Sequence, residues 1–215
     1  MSFVSVNIEQ GAETPVKLTR RALAKQRTRE RVLAAARRLF SERGYEGATI
    51  RDIAQAAGMS TGAVFASFAD KSELFEEILT ADYEVIYAQM TQAARAAKTV
   101  DEALLGLFGV AYSFHLEQLP LLRASISVSW TRSEVAERRA RNDIKHIFKL
   151  IGVTLQRAVD EGQLKKDIDA KLLAEITWDV YVANYRRAVY DGWSVEALLA
   201  RLSDQLKVIF AGARA

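Results

Sequence analysis

Residues 49–68, TIRDIAQAAGMSTGAVFASF, hold two short helical patterns joined at Gly58. Ile50, Ile53, Ala54 and Ala57 recur at helical spacing and form one apolar face. Gly58 ends that helix, because glycine takes the left-handed backbone conformation that other residues resist. Ser60 restarts the chain as an N-cap, with Met59 and Val64 at staple spacing around it. The second helix therefore leaves the first after a tight turn, the layout of a helix-turn-helix. Its leading face is Thr61, Gly62 and Ala63, small enough for close approach to a phosphate backbone or a base edge.

The charge distribution supports a nucleic-acid partner for this stretch. Residues 15–71 carry 12 Lys and Arg against 5 Asp and Glu, a net of +7, whereas residues 1–14 and 72–215 each carry −2. A basic head on a mildly acidic body is the footprint of a protein whose head alone touches DNA. Arg20, Arg21 and Lys25 are candidates for phosphate or minor-groove contact, at the start of an Arg-rich amphipathic helix. Such contacts supply affinity and salt dependence without reading sequence.

The remaining pattern is helical throughout. Leu23 to Arg43 reads as the first helix, with Val32, Leu33, Ala36, Leu39 and Phe40 on one stripe and its arginines largely off it. Asp70-Lys71-Ser72-Glu73 opens another helix that runs past Tyr83 and Tyr87 toward Ala94. Asp101 is the expected cap of the next, which breaks before Pro120. Segments from Ile126 to Arg139, Asn142 to Glu161, Ala170 to Tyr190 and Val195 to Phe210 follow, the last two capped by Asp169 and Ser194. No stretch alternates with period two, so the expected class is all-α. Three segments are expected: a flexible arm over 1–22, a DNA-binding domain over 23–80 and a ligand-binding and dimerisation body over 81–215.

The helix over 170–190 is apolar on two faces. Leu173, Ile176, Val180 and Ala183 make one; Ala174, Trp178, Tyr181 and Tyr185 make the other. Such a helix must be covered on both sides. The last helix adds a stripe that includes Leu199, Leu202, Leu206 and Ile209. A second copy of the chain is the simplest cover, giving a four-helix, two-fold interface.

The combination of Ala35-Ala36, Leu39-Phe40, Gly44-Tyr45, Thr49-Ile50, Ile53-Ala54, Ala57-Gly58-Met59-Ser60, Gly62, Phe65, Phe68 and Lys71-Ser72-Glu73-Leu74 resembles the TetR family of transcriptional regulators. The resemblance covers about residues 26–80. It implies about nine helices, a homodimer, a palindromic operator, and release from DNA when a small molecule enters the body. It also implies that Thr49 and Lys71 contact phosphate and that Ser60, Thr61 and Ala63 approach the major groove. Phe65 and Ser67 depart from the common pattern. Phe65 lacks the hydroxyl of the usual tyrosine, and Ser67 reaches phosphate only with a short arm.

The body is expected to hold the effector among Tyr83, Tyr87, Phe108, Tyr112, His115, Trp130, Phe148, Trp178, Tyr181 and Tyr185 as a group, although any single member is more commonly ordinary core. An apolar or aromatic effector follows from that lining. His115 shares a face with Leu104, Phe108 and Ala111 and points inward, whereas His146 beside Lys145 is expected to be exposed. There is no cysteine, no metal-ligand spacing, no glycine-rich phosphate loop and no nucleophile elbow, so no enzyme, metal or cofactor is expected. The longest mostly apolar run is too short to span a bilayer, and a cytoplasmic location is expected. The expected function is an operator-binding regulator, most simply a repressor. The alternative is a dimeric helical ligand-binding or interaction protein without operator recognition.

Overall fold

The computed structural model describes residues 19–130 and 133–215, and every regular element among them is a helix. In chain order these are α1 (Arg20–Gly47), α2 (Ile50–Ala56), α3 (Thr61–Phe65), α4 (Lys71–Ala96) and α5 (Val100–Leu116). Then come α6 (Leu119–Ser129), α7 (Glu134–Asp143), α8 (Lys145–Asp160), α9 (Ala170–Asp191) and α10 (Val195–Phe210). The all-α reading holds. Of the arm expected over 1–22, residues 1–18 lie outside the described residues, and residues 20–22 are helical because Thr19, not a later residue, caps α1 by accepting from Ala22 N.

Local chemistry sets most boundaries. Ser60, Asp70, Asp169 and Ser194 each accept a bond from a backbone amide three residues on, as the sequence predicts. At α5 the cap is Thr99 rather than Asp101, since Thr99 and Glu102 complete a reciprocal capping box. Gly44 (φ 73) breaks the end of α1, so Tyr45 folds back onto Phe40 and Phe75. The segment expected over 126–139 is instead divided between α6 and α7, and α8 begins at Lys145 rather than Asn142.

Two cores form. The head core gathers Val32, Phe40, Ile53, Val64, Phe68, Phe75 and Ile78, and it also takes Leu121, Ala124 and Val128 from α6. The body core gathers Ile86, Met90, Phe108, Tyr112, Ile151, Tyr181, Leu202, Leu206 and Phe210. Each large buried side chain contributes about 1.5–3 kcal/mol of transfer free energy. α6 thus belongs to both parts: Leu122 joins the body core and the Arg123 guanidinium donates to Val189 O of α9 at 3.2 Å. α4 is the second shared element, running without a break from the head into the body. Arg157 of α8 closes its far end by donating to the carbonyls of Ala94 and Ala97.

Candidate nucleic-acid interface and buried aromatic cluster

The helix-turn-helix is held in shape by arginines from α1. Arg31 donates to Ala57 O at 2.6 Å, satisfying a carbonyl at the end of α2. Gly58 (φ +66) makes the turn beneath it, and a Cβ there would lie 3.1 Å from that guanidinium. Arg29 lies 4.1 Å over the Phe68 ring, donates to Ser67 O just after α3, and pairs with Glu77 on α4. These two arginines are spent on the fold of the head and are not free phosphate ligands. The helical spacing carries a signal for Arg29, which sits one turn before Leu33 and two turns before Ala36.

A third arginine ties the head to the body. Arg37 pairs with Asp82 of α4, donates to Ile78 O at 3.2 Å and to Gln118 Oε1 at 2.8 Å. Gln118 sits between α5 and α6, so one guanidinium joins α1, α4 and the start of α6. The Asp82 side chain is 4% exposed and the Arg37 side chain 34%. Burial raises the Asp82 carboxyl above its ordinary pKa, and Arg37 opposes that shift.

The predicted DNA-contact residues are placed as follows. Arg20, Arg21 and Lys25 are exposed on the first two turns of α1. Ser60, Thr61 and Gly62 are exposed at the front of α3, with Ala63 half-buried behind them. Ser60 Oγ accepts from Ala63 N at 3.2 Å, leaving its proton to donate outward. The Thr49 hydroxyl is engaged, since it donates to Asp52 Oδ2 at 2.6 Å and accepts from Asp52 N. That donation is the leading reason the Asp52 carboxyl lies below its ordinary pKa. Ser67 is half-buried, and Lys71 Nζ donates to Tyr45 O at 3.0 Å above the Tyr45 ring.

The predicted effector residues resolve into a closed inner layer and an open rim. Phe108 and Tyr181 stack with centroids 4.2 Å apart, and Tyr112, Tyr185 and His115 pack around them. Their polar atoms are paired. Tyr112 donates to Tyr181 O at 3.1 Å, the Tyr181 and Tyr185 hydroxyls bond each other, and His115 Nδ1 meets Tyr185 Oη at 2.7 Å. Burial pushes all three tyrosine hydroxyls up and pulls His115 down to about 4, so the layer is uncharged near neutrality. Asn184, missed in the sequence, links this layer to Gln205 of α10 at 2.7 Å.

Tyr83, Phe148 and Trp178 form the half-buried rim, from α4, α8 and α9. Tyr87 turns away to meet His146 at 4.8 Å between centroids. His146 is therefore half-buried rather than exposed. Trp130 is not part of the cluster either. It stands 84% exposed at the C-cap of α6, whose last buried residue, Val128, belongs to the head core.

On α9 the two apolar faces separate as their spacing requires. Ala174, Tyr181 and Tyr185 are buried, whereas Leu173, Ile176 and Val180 are half-buried and Ala183 is exposed. On α10, Leu199 and Ile209 are half-buried, but Leu202 and Leu206 are wholly buried against their own chain. Those two leucines cannot be interface residues, because α5 and α9 already cover that side of α10. Val208 is 77% exposed on the outer side instead.

Residues 32–78 match the sequence profile of the bacterial regulatory proteins, tetR family. The HTH-type transcriptional repressor AcnR of Corynebacterium efficiens is 33% identical over 150 residues, covering 68% of this chain and 73% of that protein. The chain belongs to the TetR family. Solved structures share the fold across the whole TetR-family architecture. FadR from Bacillus subtilis in complex with stearoyl-CoA superposes with a TM-score of 0.70 at 16% identity, over 85% of this chain and 98% of that one. The ketosteroid transcriptional regulator KstR2 of Mycobacterium tuberculosis gives a TM-score of 0.56 at 21% identity, over 87% and 95%. This TetR-family chain is a DNA-binding transcriptional regulator. No helix among its described residues is long and apolar enough to cross a membrane.

Proposed function

We propose that the chain is a homodimeric repressor that holds a palindromic operator and releases it when an apolar or aromatic small molecule enters the aromatic cluster. The observation that carries the reading is the exposed face of Ser60, Thr61 and Gly62, set by Arg29 and Arg31 on a basic head. Arg20, Arg21 and Lys25 supply phosphate contacts beside it, and Lys71 and Thr49 serve only where their internal bonds open. Two copies paired through Leu173, Ile176, Val180 and Ala183 of α9, with Leu199, Ile209 and Val208 of α10, would set two recognition helices about 34–36 Å apart. A four-helix contact of this kind is isologous.

The effector enters by the rim of Tyr83, Phe148 and Trp178, because the inner layer is packed and satisfied. The uncharged lining favours an effector with a neutral, largely apolar portion buried there. A ligand that prefers a different head spacing shifts the population and weakens operator binding, by about 5- to 150-fold for a coupling of about 1–3 kcal/mol.

The test is to select bound fragments from a random duplex pool and measure their affinity across a salt series. The proposal expects one palindromic sequence to be preferred over random DNA. Lys71→Ala should flatten the salt slope by about one unit if Lys71 reaches phosphate. Binding with no sequence preference would instead leave a helical interaction protein without an operator.

A further inference from the structure

The recognition helix leaves one large apolar side chain open. Phe65 is 55% exposed, whereas its neighbour Val64 and Phe68 one turn on are buried in the head core. Val64 and Phe68 are four apart and share the inward face, which turns Phe65 outward with Thr61, Gly62 and Ala66. No ring or cation of the described residues lies against it. One exposed phenylalanine is ordinary by itself. Its company gives it meaning.

Gly62 is the first companion. Glycine within a helix weakens it relative to alanine, so it needs a reason. None comes from inside the chain: a Cβ built at Gly62 would find only Ser60 Oγ, at 3.9 Å. The missing side chain instead clears a shallow gap one turn before Phe65. Thr61 is the second companion, presenting one hydroxyl and one methyl at the edge of that gap. The strip carries no Arg, Lys, Asn or Gln that could grip a base edge with two hydrogen bonds.

Among the groups that base pairs present in the major groove, the C5-methyl of thymine is the apolar one. We propose that Phe65 is a specificity-determining residue that reads thymine. Its ring and the Thr61 methyl enclose a thymine C5-methyl over the gap at Gly62, in each half-site. The proposal rests on the operator-binding reading above and names the base that reading leaves open. It accounts together for an exposed phenylalanine, a glycine the fold does not need, and a reading face without long polar side chains.

The experiment starts from the fragment selected from a random duplex pool. The same fragment is remade with deoxyuridine in place of thymidine, first throughout and then position by position, which removes the methyl and leaves every hydrogen-bonding edge intact. Wild-type protein should bind the deoxyuridine fragment about fourfold more weakly per methyl lost from contact, so about 16-fold for one methyl in each half-site. Phe65→Ala should weaken binding to the thymidine fragment and bring the ratio between the two fragments close to one. Phe65→Tyr keeps the ring and should keep the ratio. Gly62→Ala fills the gap and should weaken thymidine binding, while its thermal unfolding is as high as wild type or higher.

Equal binding of both fragments by wild-type protein overturns the inference. So does a Phe65→Ala protein that keeps the wild-type ratio, since the methyl is then read elsewhere. A chain that selects no fragment over random DNA overturns the operator reading itself, and this inference with it. Selection without any deoxyuridine effect overturns this inference alone.

Discussion

Removing either partner of the Arg37–Asp82 pair should cost stability unequally, and the burial of the two side chains says which loss is larger. Asp82 is 4% exposed and Arg37 34%. In Asp82→Asn, the Arg37 guanidinium keeps Ile78 O, Gln118 Oε1 and a third of its surface in solvent. The cost should be about 1–2 kcal/mol, below the 3–5 kcal/mol typical when a fully buried charge loses its partner. In Arg37→Met, a carboxylate enclosed by protein loses its cation, and about 3 kcal/mol or more should go. The pH dependence follows from the direction of the shift. Burial already raises the Asp82 pKa in the folded state, and loss of Arg37 raises it further. The folded state then binds a proton more tightly than the unfolded chain. Stability from this group is present at low pH and lost as pH rises through the folded-state value. The Arg37→Met deficit should therefore shrink between pH 7.5 and pH 5. Urea unfolding at one fixed protomer concentration reads all of this. Arg37→Met with Asp82→Leu should recover most of the single-variant loss. Asp82→Asn costing more than Arg37→Met, or no recovery in the double variant, would refute the reasoning.

His115 gives an opposite pH signature. Its folded value of about 4 lies below the ordinary 6.5, so its stabilisation is complete above pH 6.5 and is lost as pH falls toward 4. Urea unfolding at pH 7 and pH 5 should differ by about 2 kcal/mol from this group, and His115→Phe should remove that difference. Gly58→Ala forces a side chain to φ +66 and to 3.1 Å from Arg31, and should lower stability by about 1–2 kcal/mol; an unchanged unfolding midpoint would sink the account of the turn. Ile176→Glu with Val208→Glu places charge on the outer face of α9 and α10 and should give a protomer-sized species in sedimentation equilibrium. Retention of the wild-type mass would move the interface elsewhere.

What the sequence reveals and what it hides divide along the range of the interactions. The caps at Ser60, Asp70, Asp169 and Ser194 and the turn at Gly58 are each settled within a few residues, so their residue types announce them. Arg37 and Asp82 announce nothing, because each is an ordinary charged residue on an amphipathic helix until the other arrives from 45 positions away. Leu202 and Leu206 mislead for a related reason: helical spacing finds an apolar stripe but not whether the same chain or a second copy covers it. Trp130 joins the aromatic set by residue type alone, and type does not record that the last turn of α6 packs on the head and leaves this ring in solvent. The aromatic cluster was legible as a set. Its split into a satisfied inner layer and an open rim depends on hydroxyl pairings between α5 and α9, which no local pattern encodes.

The aromatic rim and the latch that Arg37 makes with Asp82 and Gln118 are joined by short stretches of rigid chain, and that makes their coupling measurable without an effector. Tyr83 of the rim and Asp82 of the latch are consecutive on α4; His115 of the inner layer, in the last turn of α5, and Gln118 of the latch, just beyond it, are three residues apart. A displacement that opens the rim between α4 and α9 would carry Asp82 with it. α1 would then lose a contact while keeping Arg29 and Arg31 clamped on the carbonyls of the recognition unit. Position alone does not establish such coupling. A double-mutant cycle does: Trp178→Ala loosens the rim, Gln118→Ala loosens the latch, and operator affinity is read for each and for both. Trp178 packs on Tyr83 and Phe148 and Gln118 bonds Arg37, and neither is among the residues proposed to touch DNA. If the two act through one equilibrium, their effects on affinity should depart from additivity by more than about 0.5 kcal/mol. Additive effects would mean that the rim reaches the DNA face by some route other than Arg37.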